Sequence, residues 1–146
     1  MNPDTIFRIT CIIAAIGWII LIVVSPFWPN YDKFLIGVII AILALVYTTL
    51  NFTHFDPDIL SKFSSLKGIL SLYEIPELLL AGWVHFLAFD LFVAVWIKRN
   101  SVRHGIKHGW VIPAMIFTCL LAPLGFLIYI IIRWLNTKQY FADNAA

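Results

Sequence analysis

Apolar residues fill four long runs of this chain, and most polar residues lie in the stretches between them. The runs cover residues 6–27, 34–51, 76–97 and 110–134. About 20 helical residues cross the hydrocarbon core of a bilayer, so each run is long enough to span it. The pattern predicts an all-α membrane protein. Its expected architecture is a four-transmembrane-helix up-down bundle, forming a single integral membrane domain over residues 1–146.

A shorter helix is predicted in the connection between spans two and three. Asp56 followed by Pro57 is typical of a helix N-cap with proline at the first helical position. Apolar and polar residues then recur on opposite faces at helical spacing, which indicates an amphipathic helix. The apolar face holds Ile59, Phe63, Leu66, Leu70 and Tyr73, and the polar face holds Ser61, Lys62, Ser65 and Lys67. Such a helix either lies in the membrane interface or packs over the end of the bundle.

Prolines and tryptophans refine the shape and the ends of the spans. Span four contains Pro113 and Pro123, and Gly125 follows closely, which predicts a bend near the middle of one continuous helix. Tryptophan is enriched where the membrane meets water. In an up-down bundle the tryptophans fall at both surfaces, with Trp28, Trp96 and Trp110 at one and Trp134 at the other.

Composition supports the membrane assignment. The chain is 62% hydrophobic and 12% charged, against roughly 25% charged residues in soluble domains. The net charge of +2 implies no acidic polymer as a partner, so nucleic acid is not expected.

Cys11 and Cys119 both lie in apolar runs, which favours free core cysteines over a disulfide. The first run has no small-residue cleavage site and no transit extension before it, so it is interpreted as a retained helix.

The distribution of basic residues gives a weak prediction of orientation. In an up-down bundle each membrane surface receives five of the ten Lys and Arg residues. The connection between spans three and four is the densest basic stretch, with Lys98, Arg99, Arg103 and Lys107. Because basic loops favour the cytoplasm, this stretch favours both termini on the outside.

Three ionisable residues inside span three provide the best indication of function: Glu77, His85 and Asp90. A charged side chain at bilayer depth costs at least about 2.5–3.5 kcal/mol, so such residues are rare and often functional. Both ionisable groups near the midplane, His85 and Asp90, are expected to face the protein interior. Five residues separate them, so they should point about 140° apart and not bond to each other.

Each of these residues also has a structural interpretation. Glu77 lies where the helix dipole favours an anion, and an up-down bundle places it level with Arg8, Asn51 and Arg133. It would then either pair with Arg133 or stand at the mouth of a site. His85 would be a core histidine bonded to a carbonyl freed by Pro123, or a functional group.

Asp90, level with Thr118, would be held neutral by apolar surroundings and could donate a proton or a hydrogen bond.

No metal or cofactor is predicted. His104 and His108 have the spacing of a helical metal pair, but Gly105 and Gly109 argue against a helix there, and no acid or cysteine is near in sequence. A bis-histidine haem needs two histidines at depth, and only His85 qualifies. The sequence contains no phosphate-binding loop, dinucleotide fingerprint or serine-nucleophile motif.

The segment 79–93, LLAGWVHFLAFDLFV, resembles the signature of the abscisic-acid-deficient-four-like family. The stretch from Gly105 to Arg133, with Pro113, Pro123 and Tyr129, resembles that family's last helix. The resemblance implies a small four-span membrane protein related to the plant member required for making neoxanthin from violaxanthin. Without a transit extension, the chain is interpreted as a bacterial inner-membrane member or a mature form.

The resemblance implies a chemistry. Glu77, His85, Asp90 and His108 match polar positions of the family. Conversion of an epoxide to an allene without redox needs an acid on the epoxide oxygen and a base that removes a proton from the polyene. A protonated Asp90 and a neutral His85 suit these roles.

Two function hypotheses follow, and a small transporter ranks third. The first is a membrane enzyme, or a subunit of one, that acts on a carotenoid or another isoprenoid lipid by acid/base chemistry. Its catalytic residues would be His85, Asp90 and Glu77, and its substrate-binding residues Trp83, Thr118, His108 and Arg133. The second is a non-catalytic membrane protein that binds a lipid or pigment or supports assembly of a partner. The expected partners are the bilayer, a second copy of the chain or a membrane enzyme.

Overall fold

The computed structural model describes residues 2–55 and 57–138, which are helical throughout apart from short turns. Three helices are long and apolar enough to cross a membrane: α1 (Pro3–Val24), α2 (Tyr31–Thr53) and α5 (Pro76–Arg103). Two short helices, α3 (Ile59–Lys62) and α4 (Leu66–Tyr73), precede α5. Two apolar helices follow it, α6 (His108–Leu120) and α7 (Ala122–Thr137). The predicted cap residue Asp56 lies outside the described residues.

The predicted fourth span is two helices and not one, which is a correction to the four-span bundle. Helix α6 ends at Leu120, and the next residue, Leu121, has a φ of −150° and a ψ of 79°, which are not helical. Helix α7 then begins, with Pro123 in its first turn. The N–H groups of the first turn have no partner within a helix, so the missing N–H of proline costs no hydrogen bond there. A Cβ on Gly125 would overlap the backbone of Ala114 and Thr118, so α7 folds back tightly against α6. The proline and glycine that predicted a bend instead make a turn.

Contacts at the far ends of this hairpin show where it enters and leaves the membrane. His108, at the start of α6, bonds to the carbonyl of Ile22 near the end of α1. Arg133, near the end of α7, bonds to Asn100 near the end of α5. Both ends of the hairpin therefore lie at the membrane surface where α1 and α5 end. With 13 residues, α6 reaches roughly 20 Å, short of the 30 Å or so of a hydrocarbon core.

The hairpin changes the predicted topology. The start of α1, near Trp83, and the end of α7, near Asn100, lie at opposite ends of the described bundle, which contradicts the expectation that both lie on one side. Trp134 also moves to the surface of the other tryptophans. Seven of the ten Lys and Arg residues now lie at the hairpin surface, and the opposite surface keeps Arg8, Lys62 and Lys67. The positive-inside rule predicts that the hairpin surface faces the cytoplasm.

The core surrounds α5, which packs against α1, α2 and the hairpin. Leu91 of α5 is fully buried, together with Leu21 of α1 and Leu43 of α2. Gly17 lets α1 approach α5 closely, because a Cβ there would lie 2.6 Å from a methyl group of Leu91. The outer faces of the helices carry large exposed apolar side chains, as expected for surfaces that contact lipid.

The connection between α2 and α5 forms two short helices in place of the single one predicted. A Cβ on Gly68 would overlap the backbone of Lys62, so the two helices are closely packed. Leu72 is buried, while the outward face of the pair leaves Leu60, Leu66 and Leu70 exposed. One face therefore packs on the bundle and the other is suited to the membrane interface.

Candidate functional site

A groove between α2 and α5 opens on the outer surface of the bundle near its middle. Its centre is His85, whose ring stacks on Phe89 with centroids 4.5 Å apart. The ring of Tyr47, from α2, lies 5.3 Å from the His85 ring on the other side. Residues 85 and 89 are one helical turn apart, so the helix itself places these two rings on one face.

Two hollows of the groove share His85 and Tyr47 as lining residues. One, of about 280 Å³, runs toward the hairpin surface along Phe89 and Phe92 and is almost wholly apolar. The other, of about 240 Å³, runs toward the opposite surface beneath α3 and α4, past Asn51 and Tyr73. Together they follow the side of the bundle, and the imidazole of His85 belongs to the wall of both.

The position of His85 corrects one expectation and leaves its role open. The residue is exposed on the outer surface of the bundle and does not face the interior. Its two flanking rings reduce the cost of placing an imidazole at this depth. Within residues 2–55 and 57–138 its ring nitrogens have no hydrogen-bond partner, so both are available to a ligand in the groove.

Asp90 occupies a different surface of α5. It is 5% exposed, and its Oδ2 atom is buried without a hydrogen-bond partner in the described part of the chain. Cys119, near the tip of the hairpin, lies within electrostatic range of this carboxyl. Next to it, buried Thr118 donates a hydrogen bond to the carbonyl of Ala114 at 2.8 Å. Asp90 therefore faces the hairpin, and it shares neither a hydrogen bond nor the groove with His85.

The predicted pairing of Glu77 with Arg133 or Arg8 is not found. Glu77 lies in the first turn of α5, and Arg133 contacts Asn100 near the last turn of the same helix. Since each helical residue rises 1.5 Å, Glu77 and Asn100 are roughly 35 Å apart. The pairing assumed a continuous fourth span, and the hairpin carries Arg133 back to the other surface. Among the described residues Glu77 has no ion pair with Arg8 or any other base.

A buried polar cluster at the hairpin surface was not predicted. Asn100 is buried, and its Oδ1 atom accepts a hydrogen bond from the hydroxyl of Tyr129 at 2.6 Å and one from Nη1 of Arg133 at 3.2 Å. The ring of Trp96 packs edge-on against Tyr129. Arg133 is therefore part of the joint between α5 and α7. The signal available in the sequence was the presence of an asparagine, a tyrosine and an arginine at the ends of apolar helices.

His108 belongs to a second polar joint at the same surface. Its Nδ1 atom lies 2.9 Å from Nζ of Lys98, and its Nε2 atom lies 2.8 Å from the carbonyl oxygen of Ile22. Because an ammonium can only donate, the neutral ring accepts at Nδ1 and donates from Nε2. Neither following residue in helical register donates to this carbonyl, because residue 26 is proline without an N–H and the N–H of Phe27 bonds to Val24. His104 bonds through its Nδ1 atom to the carbonyl of Asn100.

Trp83 lies outside the groove. Its indole N–H points to the sulfur of Cys11 at 3.4 Å, and its ring stacks on Phe86 with centroids 5.7 Å apart. It therefore faces α1. Of the predicted site residues, the structure places only His85 in the groove, and it adds Tyr47, which the sequence did not single out.

The three crossing helices, the hairpin and the lateral groove define a small integral membrane protein with a site that opens toward lipid. The family model for ABA DEFICIENT 4-like proteins matches residues 5–129, and the chain belongs to this family. Among curated proteins, Protein ABA DEFICIENT 4, chloroplastic, of Arabidopsis thaliana is 24% identical over 106 residues. The match covers 68% of this chain and 47% of that protein, so the chain spans about half the length of its plant relative.

No solved structure matches the chain. The plant relative is chloroplastic, so it lends no support to the bacterial inner membrane predicted from the sequence, which stays a prediction.

Proposed function

We propose that the protein binds a carotenoid or another isoprenoid lipid in the groove between α2 and α5 and acts on it by acid/base chemistry. The observation that supports this most directly is the placement of His85. An imidazole with two uncommitted nitrogens lies midway along an apolar groove that is open to the membrane. A hydrophobic chain could enter this groove sideways from lipid without crossing water.

The chemistry needs two groups, and the groove holds two. In the isomerisation of an epoxide to an allene, a base removes a proton from a polyene carbon. The electron pair of that C–H bond forms the new double bond as the epoxide C–O bond breaks, and the oxygen takes up a proton. We assign the base to neutral His85 and the proton donor to the hydroxyl of Tyr47. Asp90, the acid expected from the sequence, faces the hairpin and is left out of this assignment.

Binding without catalysis is the second candidate. It is favoured by the separation of His85 from Asp90, since the acid/base pair expected from the family resemblance does not share one site. In that case the protein would hold a pigment or isoprenoid lipid, or support assembly of a partner membrane enzyme.

The test uses a host strain that accumulates violaxanthin, with pigments analysed by chromatography. Wild-type protein should convert the epoxide to an allenic product, and His85→Gln and Tyr47→Phe should each lower the conversion by roughly 10²–10⁴-fold. His54→Gln is the matched control, because His54 lies at the end of α2, away from the groove, and bonds locally to Leu50. Its conversion should equal that of the wild type.

Purification of the same proteins separates the two candidates. A pigment or isoprenoid that copurifies with wild type and with all three variants, without any conversion, would support binding alone. If none copurifies and none is converted, the groove is not an isoprenoid site.

A further inference from the structure

A second cavity, of about 430 Å³, lies at the hairpin surface between the ends of α1 and α5 and the start of α2. It is separate from the lipid-facing groove. Its wall includes three cations, Lys98, Arg99 and Arg103, and one acid, Asp32. The ring of Tyr31 and the turn through Ser25 and Pro29 complete it. Its charge is therefore strongly positive, at the end of the molecule that carries most of the basic residues.

Lys98 is the most informative part of this wall. Its side chain is only 4% exposed, and lysine is almost never buried unless its charge is paired. In the described residues its ammonium bonds to one group, the neutral ring of His108, and to no carboxylate. An ammonium has three N–H donors, so two have no partner among the described residues, and Lys98 lines the cavity. An anion bound in the cavity would compensate this buried charge.

The surrounding bonds hold the ammonium in place. His108 cannot turn away from Lys98 without losing its bond to the Ile22 carbonyl, which Pro26 leaves without a backbone donor. Arg99, which also lines the cavity, forms a salt bridge with Asp32, with Nε 3.4 Å from Oδ2. Arg103 has no acidic partner in the described chain. Three cations converge on this cavity, and one carboxylate opposes them.

We propose that this cavity binds a phosphate group. Phosphate offers several acceptor oxygens and a charge between −1 and −2, which match the free ammonium donors of Lys98 and the planar guanidinium of Arg103. A lipid headgroup and a small soluble phosphate share this chemistry. The location at the membrane surface, beside exposed Val102, favours the headgroup of an anionic lipid.

The proposal is tested by native mass spectrometry of the full-length protein in detergent. The probes are phosphatidic acid and diacylglycerol, which differ only in the phosphate group. Wild-type protein should retain phosphatidic acid at least roughly tenfold better than diacylglycerol, as expected for one charge-assisted hydrogen bond or more. Lys98→Met and Arg103→Gln should each reduce that preference several-fold. Lys67→Met, on exposed α4 at the opposite surface, is the matched control and should keep it.

Arg103→Gln keeps the test decisive if Lys98→Met fails to fold, because Arg103 is exposed and supports no described contact in the core. Equal retention of the two lipids by wild type, or an unchanged preference in Arg103→Gln and in folded Lys98→Met, would overturn the proposal. Inorganic phosphate added at millimolar concentration distinguishes the source. Displacement of phosphatidic acid would assign a soluble phosphate ligand to the cavity, and its retention would assign a lipid headgroup. Neither result depends on the isoprenoid function of the groove.

Discussion

Arg133 donates a hydrogen bond from Nη1 to Oδ1 of Asn100, and this bond fixes the end of α7 beside the end of α5. A helix that crossed the membrane after His108 would have delivered Arg133 to the opposite surface. The contact therefore distinguishes a hairpin from a fourth span. It also explains why Arg133 does not pair with Glu77, at the other end of α5.

The topology can be checked with reporter fusions. A reporter at residue 105 and one after residue 138 should report the same side of the membrane, and a reporter before residue 3 should report the other. The physical reason is that α6 and α7 are each too short to cross the hydrocarbon, and that both of their outer ends contact the same end of α5, His108 through Lys98 and Arg133 through Asn100. Opposite reports from positions 105 and 138 would restore the fourth span and remove the hairpin.

The turn of the hairpin depends on Gly125. Gly125→Ala places a methyl group against the backbone of Ala114 and Thr118, which cannot move as a flexible side chain could. We expect a loss of about 1–3 kcal/mol in the free energy of unfolding, measured by denaturant titration in detergent. The control is Gly37→Ala in α2, where a Cβ meets open space. That variant should be neutral or slightly stabilised, since alanine is the better helix former.

If Gly125→Ala is as stable as Gly37→Ala, the close approach of α6 and α7 is not a feature of the folded protein.

The hydrogen bonds of Asn100 should contribute more to the free energy of unfolding than those of a typical asparagine. Asn100→Ala removes an acceptor shared by the hydroxyl of Tyr129 and the guanidinium of Arg133, both buried. Leaving a buried donor without its acceptor costs about 1–3 kcal/mol, so we expect a loss of at least that size in the same titration. Asn51→Ala is the control, because its amide bonds only to the carbonyl of Tyr47 within its own helix. A loss no larger than that of Asn51→Ala would argue against the joint.

Asp90→Asn should leave both the fold and the chemistry nearly unchanged. The Oδ2 atom it replaces has no hydrogen-bond partner in the described residues, and the side chain lies away from the groove. The measurements are the melting temperature in detergent and the conversion of violaxanthin in the host strain, each beside His85→Gln. A stable Asp90→Asn protein without conversion would place Asp90 in the reaction and would contradict the assignment of the acid to Tyr47.

The sequence predicts much of the fold, and the reasons for its failures are local. Runs of about 20 apolar residues correctly predicted three helices long and apolar enough to cross a membrane. The amphipathic spacing after Pro57 correctly predicted helix there, but as one helix where the structure has two. The fourth run failed because hydropathy does not record whether a chain crosses or returns. Pro123 and Gly125 are compatible with a bend and with a turn, and only their contact with α6 decides between them.

The site was predicted less completely than the fold. The cost of a polar group in lipid correctly predicted that Asp90 is buried, and helical spacing correctly predicted that it points away from His85. The same cost argument failed for His85, because Phe89 and Tyr47 flank its ring and make an outward position tolerable. Tyr47 was missed because a tyrosine in an apolar run carries no signal of its own until the facing helix is known.

The hairpin gives the molecule a tapered outline. In the half of the hydrocarbon next to the basic surface, the described chain presents five helical cross-sections, and in the other half it presents the three crossing helices, with α3 and α4 at the surface beyond them. Lipids must fill the space below the tip at Leu121, so the protein displaces more area from one leaflet than from the other. A wedge of this kind couples the protein to lateral pressure and favours curved over flat bilayers, with the wider end on the convex face.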